Sequence, residues 1–170
     1  MAARPMPKSR LQRSDMVDRA DDIDRLMHVM AGAFDPTYGE AWSRRQVEDA
    51  LLLGNCHAHL ATAQGRRAED GDEAVGFSLS RTGYREEELL LFGVLPEYRC
   101  RGIGRAILDS LVVAAKSRGA ERLLLEMRKG NPAESLYRLF GFTVIGERKE
   151  YYRPKIGPRI DAVTFAYEIP

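Results

Sequence analysis

A loop with two glycines joins the most apolar segment of the chain to its most regular amphipathic helix. The apolar segment covers residues 89–95 and Pro96 ends it, so we predict a central strand that is buried on both faces. Beyond the loop, apolar residues recur at helical spacing over residues 107–115, and Gly119 supplies a C-terminal glycine. A strand that leads through glycines into a helix leaves backbone N–H groups free to bind an anion.

The composition bounds the fold and the partners. The 170 residues are 44% hydrophobic and 30% charged, which can build a globular core and excludes global disorder, collagen and coiled coil. This length predicts a single domain over residues 21–170, after a flexible basic arm over residues 1–20. The net charge of +1 gives no large positive field, so neither DNA nor a membrane is a predicted partner.

Cysteine usage and the N-terminus indicate the compartment. Cys56 and Cys100 form no CxxC pair, which is typical of the reduced cytosol. The basic N-terminus precedes no apolar leader, and the longest apolar run is too short to cross a bilayer, so we expect a cytoplasmic protein. His57 and His59 share a strand face without a carboxylate nearby, so no metal is predicted.

Periodicity and breakers predict a mixed α/β fold for the rest of the chain. A helix is expected over residues 22–33, and Ser43 is expected to cap a second helix after a loop. The other predicted elements are strands over residues 57–63, 74–80, 122–128, 143–152 and 161–169 and a short helix over residues 132–140.

The loop over residues 96–105 carries the chemistry. It combines two glycines with three arginines: Gly102, Gly104, Arg99, Arg101 and Arg105. Glycines let the backbone approach a ligand, and a helix N-terminus with arginines suits a diphosphate. An isolated Gly-x-Gly is more often a plain turn. Because the loop lacks both the lysine of a P-loop and the three glycines of a dinucleotide fold, an NTPase or a dehydrogenase is disfavoured.

Two motifs resemble the GNAT acetyltransferase family. The acetyl-CoA loop of that family reads Arg/Gln-x-x-Gly-x-Gly/Ala, here Arg99-Cys-Arg-Gly-Ile-Gly104. Its second element, an Asn followed by Leu-Tyr and Gly-Phe, is present as Asn131, Leu136-Tyr137 and Gly141-Phe142. The spacing from Asn131 to Tyr137 is one residue shorter than the family pattern.

Within that family, the chain is most similar to the ribosomal-protein-alanine N-acetyltransferase (RimI) branch. The likeness spans residues 34–169 and rests on three further segments: Ala41-Trp-Ser43, Leu125-Glu-Met-Arg128 and Glu150-Tyr-Tyr-Arg-Pro154. It implies a mostly antiparallel central sheet, flanked by about four helices, that splays between its fourth and fifth strands.

The resemblance also implies where acetyl-CoA binds. Its pantetheine arm would lie in the splayed gap, and the N–H of Val94 would polarise the thioester carbonyl. The implied acetyl-CoA-binding residues are Phe92, Gly93, Val94, Arg99, Cys100, Arg101, Gly102, Ile103, Gly104, Arg105 and Asn131. Ordinary core packing is the alternative explanation for Phe92 and Val94.

By the same resemblance, Glu126 is the general base and Tyr137 is the general acid. Glu126 would take a proton from the acceptor amine, and Tyr137 would protonate the departing thiolate. The alternative for Glu126 is a structural ion pair with Arg122 or Arg128, and for Tyr137 it is packing against the sheet.

The acceptor is expected to be the N-terminal α-amine of a protein such as a ribosomal protein. Trp42, Tyr151 and Tyr152 are the candidate acceptor-binding residues, because aromatic side chains with polar tips suit an extended peptide. Two other functions stay open: acetylation of a small molecule or a lysine side chain, and a non-catalytic CoA-binding or partner-binding module. The motifs leave the oligomeric state open.

Overall fold

The computed structural model describes residues 13–170 of the chain. These residues form one mixed sheet of six strands with helices on both faces. The helices are α1 (Arg13–Ala33), α2 (Arg44–Leu52), α3 (Ile103–Ser117) and α4 (Glu134–Phe140), and the strands are β1 (Cys56–Ala61), β2 (Gly76–Thr82), β3 (Glu86–Val94), β4 (Arg122–Arg128), β5 (Thr143–Tyr152) and β6 (Ile160–Glu168). The predicted class and element order are confirmed.

Helix α1 begins earlier than predicted. It starts at Arg13, so residues 13–20 of the predicted flexible arm are helical instead. The rest of the arm, residues 1–12, lies outside the described residues. No helix within residues 13–170 has the length and apolar character needed to cross a bilayer.

Two glycines show which helix covers which face of the sheet. A Cβ atom at Gly93 would lie 3.1 Å from the Cβ of Ala33 in α1, and one at Gly76 would lie 2.9 Å from the Cδ1 of Ile107 in α3. The register pairs Gly76 with Val94, so Gly93 points to the opposite face. Therefore α1 and α3 sandwich β2 and β3.

The sheet opens between β3 and β4. Its order is β1-β2-β3-β4-β6-β5, and β3 and β4 are the parallel pair at its centre. They pair only from Glu86 with Arg122 to Leu89 with Leu125, and beyond that point they diverge. The splay lies at the predicted residues, but between the third and fourth strands of this chain; the expected strand numbers were one too high.

Strand β3 is less uniformly buried than its composition predicts. The register with β2 shifts between Leu79 and Ser80, so that Leu90 is an extra residue opposite them. Leu89 and Leu91 are buried, whereas Leu90 and Phe92 are only half-buried. Because β4 has diverged at this level, it leaves the carboxyl end of β3 accessible for a ligand.

Candidate active site

A cavity of about 180 Å³ opens where β3 and β4 separate. It brings together the predicted base, the predicted acid and two of the three predicted acceptor-binding aromatic residues. Its lining residues are Phe34, Glu40, Trp42, Leu89, Leu90, Leu91, Phe92, Leu125, Glu126, Met127, Asn131, Tyr137 and Tyr152.

Glu126 is held by hydrogen bonds that differ from the expected structural pairs. Its side chain, 19% exposed, forms an ion pair with the Nε of Arg148 at 3.2 Å. The hydroxyl of Thr164 donates to the same Oε2 atom, also at 3.2 Å. Arg122 and Arg128, the partners proposed by the structural alternative, pair with other glutamates. Glu126 therefore faces the cavity with partners that β5 and β6 provide.

Tyr137 lies in an aromatic cluster at the inner end of the cavity. Its ring centroid is 5.9 Å from that of Phe92 and 5.7 Å from that of Phe142. Burial raises the pKa of the Tyr137 hydroxyl well above its usual value, and the charge of Glu40 raises it further. The hydroxyl therefore stays protonated, which is the state that a general acid requires.

Of the predicted acceptor-binding aromatic residues, Trp42 and Tyr152 line the cavity and Tyr151 does not. The side chains of neighbouring strand residues point to opposite faces, so Tyr151 and Tyr152 cannot both face the cavity. Tyr151 is 50% exposed and packs edge-on against Tyr152. Burial first, and then the charge of Glu126, raises the pKa of Tyr152 to about 12.

Glu40 was missed by the sequence analysis. It belongs to the loop between α1 and α2, and it lines the cavity with Glu126 and Tyr137. Arg128 donates from Nε to the Oε2 of Glu40 at 3.2 Å, and the Arg128 guanidinium carbon lies 3.5 Å from the ring centroid of Tyr38. The cluster of Asp35, Tyr38, Gly39 and Glu40 before the only tryptophan was a weak signal, because loop composition does not show which side chains turn inward.

The start of α3 offers donors for a phosphate. The first helical hydrogen bond joins the N–H of Ala106 to the carbonyl of Gly102 at 3.0 Å. The amides of Ile103, Gly104 and Arg105 precede it, so they can donate to a ligand. Gly102 has a φ of 83°, which glycine adopts without strain, and a Cβ there would meet no described atom within 4 Å. The residues present fit a diphosphate at this turn.

Gly104 also has a role in packing, besides the amide that it offers to a ligand. A Cβ atom at this position would lie 2.8 Å from the Cδ2 of Leu136 and 3.2 Å from the Cζ of Phe92. Gly104 therefore allows α3 to pack closely against α4 and β3.

The arginines of the loop divide into two groups. Arg99 donates from Nε to the carbonyl of Val94 at 3.0 Å and from Nη2 to the carbonyl of Ala33 at 2.8 Å. It joins the ends of β3 and α1 through these two hydrogen bonds, and its place among the acetyl-CoA-binding residues stays a prediction. Arg101 and Arg105 are exposed beside the loop, where their charge can act on a phosphate.

The backbone of Val94 has the orientation needed to polarise a carbonyl in the gap. The N–H of Leu95 donates to the carbonyl of Val75 at 2.9 Å, on the side of β2. Successive N–H groups of a strand point to opposite edges, so the N–H of Val94 points toward the gap.

The shortened segment before Tyr137 is accommodated by a turn. Helix α4 begins only at Glu134, and the side-chain oxygen of Asn131 accepts from the N–H of Ala133 at 3.0 Å. The turn through Pro132 takes up the missing residue, so that Asn131 and Tyr137 both still line the cavity.

A larger cavity, of about 700 Å³, lies along β1 between α1, α2 and α3. Neither Glu126 nor Tyr137 contributes to it. It contains His57 and His59, and the Nε2 of His57 lies 3.0 Å from the Thr82 hydroxyl oxygen. Among the residues that the structure describes, no three His, Cys, Asp or Glu side chains are arranged to hold a metal ion. We place the reaction in the smaller cavity because it combines an acid, a base and the open strand edge.

A comparison of the chain with models of known protein families supports the interpretation of this loop and this cavity. The acetyltransferase (GNAT) family matches residues 23–142 of the chain. The chain belongs to the GNAT acetyltransferase family. It is therefore an acyltransferase, and GNAT enzymes use acetyl-CoA as their cosubstrate.

Several curated relatives of this GNAT acetyltransferase are ribosomal protein bS18-alanine N-acetyltransferases. The one from Haemophilus influenzae is 34% identical over 97 residues, which cover 57% of this chain and 66% of the relative. The relative from Escherichia coli K12 is 35% identical over a match that covers 65% of this chain and 78% of the relative. The relative from Haemophilus ducreyi is 33% identical over a match that covers 85% of this chain and 92% of the relative. The predicted likeness to the RimI branch is confirmed.

Solved structures show the same fold. The ribosomal-protein-S18-alanine N-acetyltransferase of Escherichia coli matches with a TM-score of 0.70 and 25% identity, over 95% of this chain and 92% of that one. NAA60 of Arabidopsis thaliana, solved with a bisubstrate analogue, matches with a TM-score of 0.71 and 20% identity. This match covers 87% of the present chain and 92% of the NAA60 chain.

Gly102→Asp is expected to weaken binding of acetyl-CoA by about 10- to 100-fold, since like charges near a protein surface repel by about 1–3 kcal/mol. Gly102→Ala is the matched control, because it introduces the same backbone strain at φ 83° without the charge. Titration calorimetry at two salt concentrations measures both, and the difference between the variants should shrink as salt rises. If the Gly102→Asp and Gly102→Ala variants bind acetyl-CoA with equal affinity, the diphosphate does not bind at this turn.

Proposed function

We propose that this GNAT acetyltransferase acetylates the N-terminal α-amine of a protein, with ribosomal protein bS18 as the first candidate acceptor. The strongest support is the single cavity that holds Glu126 and Tyr137 at the open end of the β3–β4 gap. The bS18-directed relatives add support for the acceptor. We place the reaction in the cytoplasm, in keeping with the free thiols of Cys56 and Cys100.

In the proposed reaction, Glu126 takes a proton from the acceptor ammonium, directly or through a water molecule. The neutral amine attacks the thioester carbonyl carbon, while the N–H of Val94 stabilises the charge that develops on the carbonyl oxygen. The C–N bond forms and the C–S bond breaks, and Tyr137 gives its hydroxyl proton to the leaving thiolate. The proton held by Glu126 leaves to solvent. The attacking nitrogen still carries two hydrogens after the C–N bond forms, and it loses one of them to solvent as the C–S bond breaks, while Tyr137 regains a proton from solvent.

The shape of the cavity supports an extended peptide as the acceptor. Trp42 and Tyr152 provide aromatic surface with polar tips at its walls. A volume of about 180 Å³ suits a small terminal residue such as alanine. The remainder of the peptide would leave along the surface beside Tyr151, which is exposed.

The test is acetylation of the N-terminal decapeptide of Escherichia coli bS18, followed by mass spectrometry. We expect one acetyl group per peptide, on the α-amine, and equimolar release of CoA thiol. The control is an N-terminally blocked copy in which lysine is the only amine, and it should not react. Acetylation of the lysine alone, or of polyamines alone, would favour the small-molecule or lysine acetyltransferase. Binding of acetyl-CoA without thiol release for any amine would favour a non-catalytic module.

A further inference from the structure

Glu40 is held in the cavity by Arg128, a buried side chain that packs on the half-buried ring of Tyr38. Its carboxylate is 16% exposed and is paired with Arg128, which is 10% exposed. The guanidinium of Arg128 stacks on Tyr38, from the same loop as Glu40. An ion pair that is mostly buried and stacked on a ring holds its carboxylate in one position. The bond to Arg128 uses Oε2, so Oε1 can accept a hydrogen bond from an acceptor.

The cavity is lined by two carboxylates and no cation. Glu40 and Glu126 are the charged side chains among its described lining residues. Arg148, the partner of Glu126, is 61% exposed, so water screens much of its charge. Arg128 compensates the charge of Glu40 from outside the lining, and the carboxylate oxygens that line the cavity are left as acceptors for an N–H donor such as an ammonium.

Glu40 lies near the reacting end of the cavity. Burial has the largest effect on the pKa of the Tyr137 hydroxyl and raises it. The negative charge of Glu40 raises the same pKa further. It also acts on Tyr152, together with Glu126. Both carboxylates line the same cavity as Tyr152 and as Tyr137, the acid that would meet the thioester sulfur.

We propose that Glu40 binds the reacting α-ammonium of the acceptor, opposite Glu126. This inference rests on the function proposed above and adds a second carboxylate to its acceptor site. The structure supports it through the position of Glu40 in the cavity, its pairing with Arg128 and the absence of a cation among the described lining residues.

The chemistry gives each carboxylate a separate task. An α-amine with a pKa of about 8 enters at neutral pH mainly as an ammonium, with three N–H donors. Glu126 removes one proton, which leaves the lone pair on that side of the nitrogen, while Glu40 holds a second N–H and anchors the amine as it turns its lone pair toward the thioester carbonyl. The acetylated product is a neutral amide with a single N–H, which weakens its hold on Glu40 and promotes release.

The test compares Glu40→Gln with Glu88→Gln, a matched loss of one carboxylate from the exposed ion pair with Arg81, outside the cavity. Glu40→Gln is expected to raise KM for the bS18 decapeptide by about 10- to 100-fold, the loss expected for one hydrogen bond to a charged group. KM for acetyl-CoA should not change. Glu40→Asp, which keeps the charge, should recover part of the affinity, and equal melting temperatures establish that the variants fold.

Binding without turnover separates this inference from the proposed function. Calorimetry on the CoA-bound protein uses the free decapeptide and its N-acetylated copy. Glu40→Gln should weaken binding of the free peptide alone. If wild-type protein does not acetylate the decapeptide, the proposed acceptor is wrong. If wild type acetylates it and Glu40→Gln matches Glu88→Gln, the acceptor stands and the role of Glu40 is wrong. Equal weakening for both peptides would also overturn it, because the contact would then not involve the ammonium.

Discussion

Glu126→Gln is expected to lower kcat by about 10²- to 10⁴-fold, the usual loss for removal of a general base. The amide has the size of the carboxylate and can keep the hydrogen bond from Thr164, so the shape of the cavity should persist. Affinity for acetyl-CoA should stay near that of wild type, because Glu126 faces the acceptor side of the gap.

The ion pair with Arg148 does not prevent Glu126 from acting as a base. The Arg148 side chain is 61% exposed and also lies over the ring of Tyr151, with 5.1 Å between its guanidinium carbon and the ring centroid. Exposed ion pairs of this kind contribute about 0–1 kcal/mol, so an incoming ammonium can replace Arg148 at little cost. Breaking this pair therefore adds little to the barrier of the reaction.

Glu121→Gln is the control for Glu126→Gln. It removes an exposed carboxylate that pairs with Arg85, away from the cavity. CoA thiol release under saturating peptide gives kcat for all three proteins, and calorimetry gives the acetyl-CoA affinity. A kcat of Glu126→Gln within twofold of the wild-type kcat would show that Glu126 is not the general base.

The regular elements could be predicted because their signals are local. Residues 143–152 were predicted as a strand from their own pattern, and β5 has those bounds. The start of α1 was missed because the apolar period used to find it begins only near Ile23, while the helix extends back to Arg13. The extra residue Leu90 was missed for the opposite reason: a bulge depends on the register with a neighbouring strand, and a run of leucines fits several registers.

Some residues of the candidate site could be predicted from the sequence, and others could not. The motifs that resemble the GNAT family pointed to Glu126 and Tyr137, and the structure brings both to one cavity. Glu40 could not be found from spacing, because its partner Arg128 is 88 positions away and only the folded sheet brings them together. The structural contact of Arg99 could not be found for the same reason, since its side chain meets the carbonyl of Ala33, 66 positions away.

Tyr137→Phe is expected to lower kcat by about 10²-fold or more, the lower range for loss of a positioned acid. The ring contacts with Phe92 and Phe142 are kept, so the melting temperature should change little. Tyr98→Phe is the control, because this half-buried tyrosine lies before α3 and does not line the cavity. A rate near that of wild type for Tyr137→Phe would mean that solvent protonates the thiolate.

The pH dependence of kcat tests the protonation state of Tyr137 directly. A general acid works only while it holds its proton, so a tyrosine with the ordinary pKa of about 10 would make kcat fall as the pH approaches 10. Burial and the charge of Glu40 raise the pKa of Tyr137, so its proton is lost only at higher pH. With peptide and acetyl-CoA saturating, kcat between about pH 8 and pH 10 should therefore stay level in wild type, and it should be equally level but lower in Tyr137→Phe. A decline in wild type that disappears in Tyr137→Phe would show that Tyr137 ionises in this range, which contradicts an acid kept protonated by burial.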